Sequence, residues 1–135
     1  MAETQPPGRK VDFRGNLGSP PRAHTFEDGT KAISFSVAET PRVEVDGEWV
    51  DGDTVWHQVE ARKSLAANGA VSLKKGVRVH VEGYEHEQQY EREGETQSRL
   101  VVRATELDIS LRFNALEVRP AVQLEAPSPG LSVAG

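Results

Sequence analysis

The stretch Thr54–Gly83, TVWHQVEARKSLAANGAVSLKKGVRVHVEG, carries two periodicities back to back. From Thr54 to Arg62 the period is two: Val55, His57, Val59 and Ala61 face one way, and Trp56, Gln58, Glu60 and Arg62 the other. That is the pattern of a strand with one buried face. From Ser64 to Lys75 the pattern becomes helical, with Leu65, Ala66, Ala70 and Leu73 approximating one apolar stripe. Ser64 stands where a cap belongs, Lys74 and Lys75 suit the negative end of the helix dipole, and Gly76 supplies the stop. Gly69 costs such a helix about 1 kcal/mol relative to alanine, so the helix has to lean on a larger body. Val77, Val79 and Val81 then restore a period of two, bending at Gly83.

Upstream, Val11–Leu17 alternates as a strand that Gly15 and Gly18 interrupt, as glycines do at a barrel corner. Arg22–Phe26 leads into the turn Glu27-Asp28-Gly29. Lys31–Glu39 follows as the clearest alternating strand, with Ile33, Phe35 and Val37 on one face. The stretch from Thr40 to Asp53, with Pro41, Gly47, Gly52 and five acids, reads as a loop. Downstream, the strand from Val77 runs to about Tyr90, Glu93-Gly94 turns the chain, and Gln97–Ile109 returns it. Leu111–Val118 offers one more short strand. The order is strand, strand, strand, helix, strand, strand. An all-β, five-stranded antiparallel barrel of the OB type has its helix between the third and fourth strands; sandwiches and lipocalin-like barrels do not. The folded domain is expected over 11–118, between a Pro-rich arm (1–10) and a short tail (119–135), both expected to be disordered.

The 135 residues suit one domain. No cysteine is present, so disulfides and thiolate zinc sites are excluded. The polar N-terminus is no secretory signal, and no apolar run approaches the ~18 residues of a spanning helix; a soluble, cytoplasmic protein that engages no membrane is expected. The net charge of −5 counts against a nucleic-acid partner without excluding one, since a groove needs only local positive charge. His86-Glu87-Gln88-Gln89-Tyr90 approaches a zinc-protease motif, but Tyr90 replaces the second histidine and the segment reads as strand. No phosphate-cradling glycine loop appears, and Ser34 and Ser36 have no identifiable base. Neither an enzyme, a cofactor nor a metal is expected.

Five pieces, in order, resemble the bacterial single-stranded DNA-binding protein family. They are Gly15-Asn16-Leu17-Gly18 followed by Pro20, and Asp28-Gly29-Thr30 ahead of a strand ending in Val37-Ala38. Trp56-His57-Gln58-Val59 and Leu73-Lys74-Lys75-Gly76 come next, then Val79-His80-Val81-Glu82-Gly83. The resemblance covers Val11 to Ile109, and Ser110-Leu111-Arg112-Phe113 onward looks like the additional strand of the actinobacterial branch. It implies an OB barrel assembled as a homotetramer (a dimer of dimers), which wraps single-stranded DNA by stacking bases on aromatics and pairing phosphates with Lys and Arg. The role implied is strand protection in DNA replication, recombination or repair, at the nucleoid.

On that resemblance Trp56 and Tyr90 are the stacking positions. Val43 and Arg62 stand where the family has aromatics; Arg62 retains a flat guanidinium, and nearby Trp49 is a substitute for Val43. Lys10, Arg62, Lys63, Lys74, Lys75, Arg99 and Arg103 are the candidate phosphate contacts. Glu85-His86-Glu87-Gln88-Gln89 replaces an outer fourth strand that is basic in the family, and the stretch 44–53, in the other hairpin that embraces DNA there, is acidic too, so weaker binding with a shallower salt slope is expected. The family's acidic, Phe-terminated tip has no match in Leu131–Gly135, so recruitment of replication enzymes by that route is not expected. In the family two first strands pair across a two-fold axis. An axis near Phe13 would set Asp12 of one copy against Arg14 of the other, and His57 matches a tetramer-interface histidine, the alternative being a histidine satisfied within its own barrel. Two rival readings stand beside strand binding: an OB protein-interaction module with lost DNA affinity, and an OB barrel for an oligosaccharide or RNA. Trp56 and Tyr90 exposed on one groove favour nucleic acid; both buried favour the interaction module.

Overall fold

The computed structural model describes residues 8–122. The alternating segments form β1 (Arg9–Leu17), β2 (Arg22–Thr25), β3 (Lys31–Glu39), β4 (Arg42–Val45), β5 (Glu48–Asp51) and β6 (Val55–Arg62). The helix α1 (Ser64–Ser72) follows, then β7 (Arg78–Arg92) and β8 (Glu95–Ile109). β1 pairs with β7, β7 with β8, β8 with β6, β6 with β3, and β3 again with β1, so five strands close a ring while β2 lies along the outer edge of β3. With α1 between β6 and β7, this is the OB layout.

One pairing departs from the all-antiparallel expectation. β6 and β8 meet in parallel, through Val59↔Val102 and Glu60↔Arg103 only. The physical reason is the crossover through α1 and β7, which returns the chain running alongside β6 rather than against it.

The alternation decides the core. Phe13, Leu17, Ile33, Phe35, Val37, Val59, Ala61, Val79, Val81 and Val102 all point inward and are buried. Two glycines let strands cross at the corners. A Cβ on Gly15 would stand 2.4 Å from the Ala38 carbonyl oxygen, where β1 leaves β7 for β3. A Cβ on Gly83 would stand 2.2 Å from that of Arg103, at the bulge where Glu82 pairs Glu106 but Gly83 pairs Ala104.

The helix leans on the barrel, but differently from its sequence pattern. Its buried face is Ala66 and Gly69, continued by Leu73, whereas Ala70 is exposed. Ala66, Gly69 and Leu73 follow one another at steps of three and then four, which keeps them on one helix face. A Cβ on Gly69 would lie 2.8 Å from Ile33 Cδ1, so the glycine admits close packing. The cap expected at Ser64 is not formed: the N-cap is Lys63, at φ 57°, without a side-chain bond. The helix ends with the Leu73 N–H donating to the Gly69 carbonyl, so Lys74 and Lys75 lie beyond its last turn.

Two further expectations are corrected. The loop expected over 40–53 contains the β4–β5 hairpin, because Asp46 and Gly47 both take positive φ and close a two-residue turn between Arg42–Val45 and Glu48–Asp51. The extra strand expected over Leu111–Val118 does not form. Ser110 diverts the chain there, its hydroxyl accepting from the Arg112 N–H at 3.2 Å and its carbonyl from Asn114 Nδ2 at 3.4 Å. The chain then crosses α1, where the Val122 N–H donates to Asn68 Oδ1 at 2.7 Å. β1 opens at Arg9, so Arg9 and Lys10, read as part of the arm, are strand. The rest of that arm except Gly8, and residues 123–135 of the tail, lie outside the described residues.

Candidate nucleic-acid interface

The register that turns Val59 and Val102 inward turns their neighbours outward, and one outward row runs through all six strands of the sheet. Arg22 on β2 pairs Ser34 on β3, Ser34 pairs Glu60 on β6, and Glu60 pairs Arg103 on β8. Arg103 then pairs Tyr84 on β7, and Tyr84 pairs Lys10 on β1. Three cations and one aromatic ring thus follow one line around the barrel. Trp56 stands on the same face, four residues before Glu60, and is 61 % exposed. That exposure keeps it out of the core. Its indole lies on Gly18, where a Cβ would come within 2.5 Å of Cζ3.

The β7–β8 hairpin resolves the acidity of the sequence. Alternation puts Glu85, Glu87 and Glu91 on one face and Tyr84, His86, Gln88, Tyr90 and Arg92 on the other. Across the ladder, Arg103, Val101, Arg99 and Gln97 pair Tyr84, His86, Gln88 and Tyr90, on that second face. The carboxylates expected to oppose phosphate therefore point away from the aromatic and cationic row, and Glu85 is taken up by Arg9 at 2.7 Å. The Arg99 guanidinium covers the Tyr90 ring at 5.2 Å, and Arg99 Nη2 donates to Gln88 Oε1 at 3.3 Å. His86 Nδ1 is buried without a hydrogen-bond partner among the described residues.

The other candidates are placed variously. Arg62 is half-buried, with Nε donating to Glu60 Oε1 at 3.0 Å and its guanidinium 4.5 Å from the Phe26 ring centroid. Trp49 is 61 % exposed on β5, opposite Glu44 and away from the valine pair Val43 and Val50. Lys63 is exposed at the head of α1, its N–H donating to the Lys31 carbonyl at 3.0 Å. Lys74 and Lys75 are exposed in the helix exit, which is tied to β1 by the Gly76 N–H donating to the Leu17 carbonyl at 2.8 Å.

At the expected subunit contact, Asp12 accepts from His80 Nε2 at 2.6 Å within its own chain, and Arg14 is the cross-strand partner of His80. The Phe13 ring is buried and stacked on His57 at 3.7 Å, while His57 Nε2 donates to Glu39 Oε1 at 2.9 Å. One ring nitrogen of His57 is thus bonded within its own chain. β1 uses one edge against β7 over Arg9–Asn16, whereas its other edge meets β3 only at Asn16 and Leu17. The rest of that edge has no strand partner among the described residues.

Tyr84, Arg22 and Phe26 were not among the sequence candidates. Tyr84 carries a signal, since it follows Gly83 on the face opposite Val79 and Val81. Arg22 and Phe26 carry none, because only the β2–β3 register brings them beside β6.

Rings and cations gathered on one barrel face suit the holding of a polyanion with planar groups. Residues 9–110 match the model of the Single-strand binding protein family. The chain belongs to that family. Among relatives, the single-stranded DNA-binding protein of Mycobacterium leprae is 34 % identical over 114 residues, covering 82 % of this chain and 68 % of that protein. That of Paenarthrobacter aurescens is 35 % identical over 102 residues, covering 73 % and 60 %. Among solved structures, the crystal structure of the small single-stranded DNA-binding protein from Streptomyces coelicolor superposes with a TM-score of 0.66 at 27 % identity, over 78 % of this chain and 96 % of that one. The family's OB barrel accounts for the ring of strands described above. Among the described residues no helix is long and apolar enough to cross a membrane.

Proposed function

We propose that this protein binds single-stranded DNA without sequence preference, as a homotetramer, and protects it during replication, recombination or repair where the chromosome lies. The carrying observation is the exposed Trp56 beside the outward row Arg22–Arg103–Tyr84–Lys10, on a barrel of the single-strand binding protein family. Each base has a π face, so stacking on Trp56 and the tyrosines contributes about 1–3 kcal/mol per base whatever the sequence. Phosphates crossing the row meet Arg103, Lys10 and Arg99. Trp56 is exposed and Tyr90 lies on the same face, the arrangement that favours nucleic acid over a pure protein-interaction module. No reaction is proposed.

Tetramer assembly is consistent with the free edge of β1 and with the exposed valines Val43, Val45 and Val50 on one face of the β4–β5 hairpin. The test is quenching of Trp56 fluorescence by oligo(dT), with Trp49 replaced by phenylalanine, at several salt concentrations and against RNA, duplex DNA and an oligosaccharide. Strong quenching by the single strand, weakening with salt, is expected. No quenching even at low ionic strength sinks the reading, and preference for RNA or oligosaccharide replaces the ligand.

A further inference from the structure

Gly18 follows β1, where the sequence suggests a glycine of a barrel corner. Its surroundings point to a different role. Gly18 is not among the glycines with positive φ, so its backbone conformation does not bar a side chain. What bars one is space. A Cβ at this position would stand 2.5 Å from Trp56 Cζ3, 2.9 Å from Trp56 Cη2 and 3.2 Å from Ser36 Oγ. Gly15 and Gly83 are crowded by a backbone carbonyl, whereas Gly18 is crowded by the far edge of an indole.

The ring is held at both ends. Ala38 on β3 pairs Trp56 on β6 and Asn16 on β1, so β3 runs between those two strands there. The Trp56 side chain starts on β6 and ends against Gly18, on the far side of β3. Its long axis is thus set across β3, where the outward residues Ser36 and Ala38 are small.

The two ends differ in what yields. At the Gly18 end the backbone is tied. The Gly18 N–H donates to the Ser36 carbonyl at 3.0 Å, the Leu17 N–H to the Val77 carbonyl at 2.9 Å, and the Gly76 N–H to the Leu17 carbonyl at 2.8 Å. At the other end is an exposed side chain that turns about two torsions. A methyl group at Gly18 therefore displaces the indole and leaves the strand in place.

We propose that Gly18 is the positioning residue of Trp56. Its missing side chain seats the far edge of the indole against the end of β1, so the ring waits for a base already ordered and little ordering cost is left for binding. This rests on the single-strand reading above and names what sets its main stacking ring.

Gly18→Ala tests it, made with Trp49 replaced by phenylalanine so that Trp56 is the one tryptophan in the chain. The variant is expected to melt as the parent does, and its free form to show lower anisotropy of Trp56 emission, the mark of a released ring. Its affinity for labelled oligo(dT) is expected to fall about tenfold, with an unchanged slope of log affinity against log salt, since no phosphate contact is lost. In a Trp56→Phe background the shorter ring leaves room for the methyl group, so adding Gly18→Ala is expected to cost no further affinity. A glycine serving only the fold would weaken both backgrounds alike. Undiminished binding by Gly18→Ala, unchanged anisotropy, or the same loss in the Trp56→Phe background overturns the proposal. Early melting of Gly18→Ala in either background overturns it too, because the ring is then not the part that yields. A parent protein that does not bind single strands removes the reading beneath; parent binding with Gly18→Ala undiminished removes the positioning role alone.

Discussion

Trp56 contributes little to the fold and much to the surface. With most of its ring in solvent, removing it forfeits little packing. Trp56→Ala is expected to shift stability by no more than about 0.5 kcal/mol while weakening oligo(dT) binding by about 1–3 kcal/mol. A thermal melt read beside a binding titration checks both halves. Glu60 is the reverse case, a polar residue on the outward face that is nonetheless buried. The sequence places it correctly on the Trp56 side of β6, but its period-two pattern carries no information on depth. Depth comes from His24, Phe26 and Arg62, which converge from segments that are neighbours only in the folded chain.

At the scale of elements, the β7–β8 hairpin shows why a count of charges misleads. The run Glu85–Glu91 is acidic as a string, but the pleat separates its carboxylates from its rings and from Arg99 and Arg103. Arg99→Ala and Arg103→Ala are each expected to lower the salt slope by about 0.7, whereas Glu87→Gln leaves it unchanged. A steeper slope in the glutamine variant would show that the acidic face also meets the strand. The helix gives a second test by magnitude. Gly69→Ala gains up to about 1 kcal/mol of helix propensity, but the new Cβ drives into Ile33 Cδ1 in a filled core, where overpacking costs about 1–3 kcal/mol. The cost is the larger effect, so a net loss of about 1 kcal/mol is expected by denaturant unfolding, with binding intact.

For the whole molecule, the edge of β1 before Asn16 that faces away from β7 has no strand partner among the described residues. Paired with the same edge of a second copy, it extends the sheet across a two-fold axis. That pairing makes a dimer and two dimers make the proposed homotetramer, so the native protein is expected at four times its 14.8 kDa chain mass in light scattering. Asp12→Arg removes the acceptor of the His80 bond and sets like charges against Arg14 of the neighbour. This variant is expected to shift the mass toward smaller species at micromolar concentration. An unaltered mass places the axis elsewhere.

The five barrel strands, the helix between the third and fourth of them, their inward residues and the exposed Trp56 were legible in the chain, whereas the β4–β5 hairpin was not. Each follows from a period of two or of 3.6, and periodicity is a local property. Register was not local. The parallel contact of β6 with β8, the row from Arg22 to Lys10, the burial of Glu60 and the separation of Tyr90 from its acidic neighbours exist only once the ring closes. Closure brings together residues that no spacing in the sequence relates, so the candidate binding face could be sensed from the chain but its composition was decided by the tertiary structure.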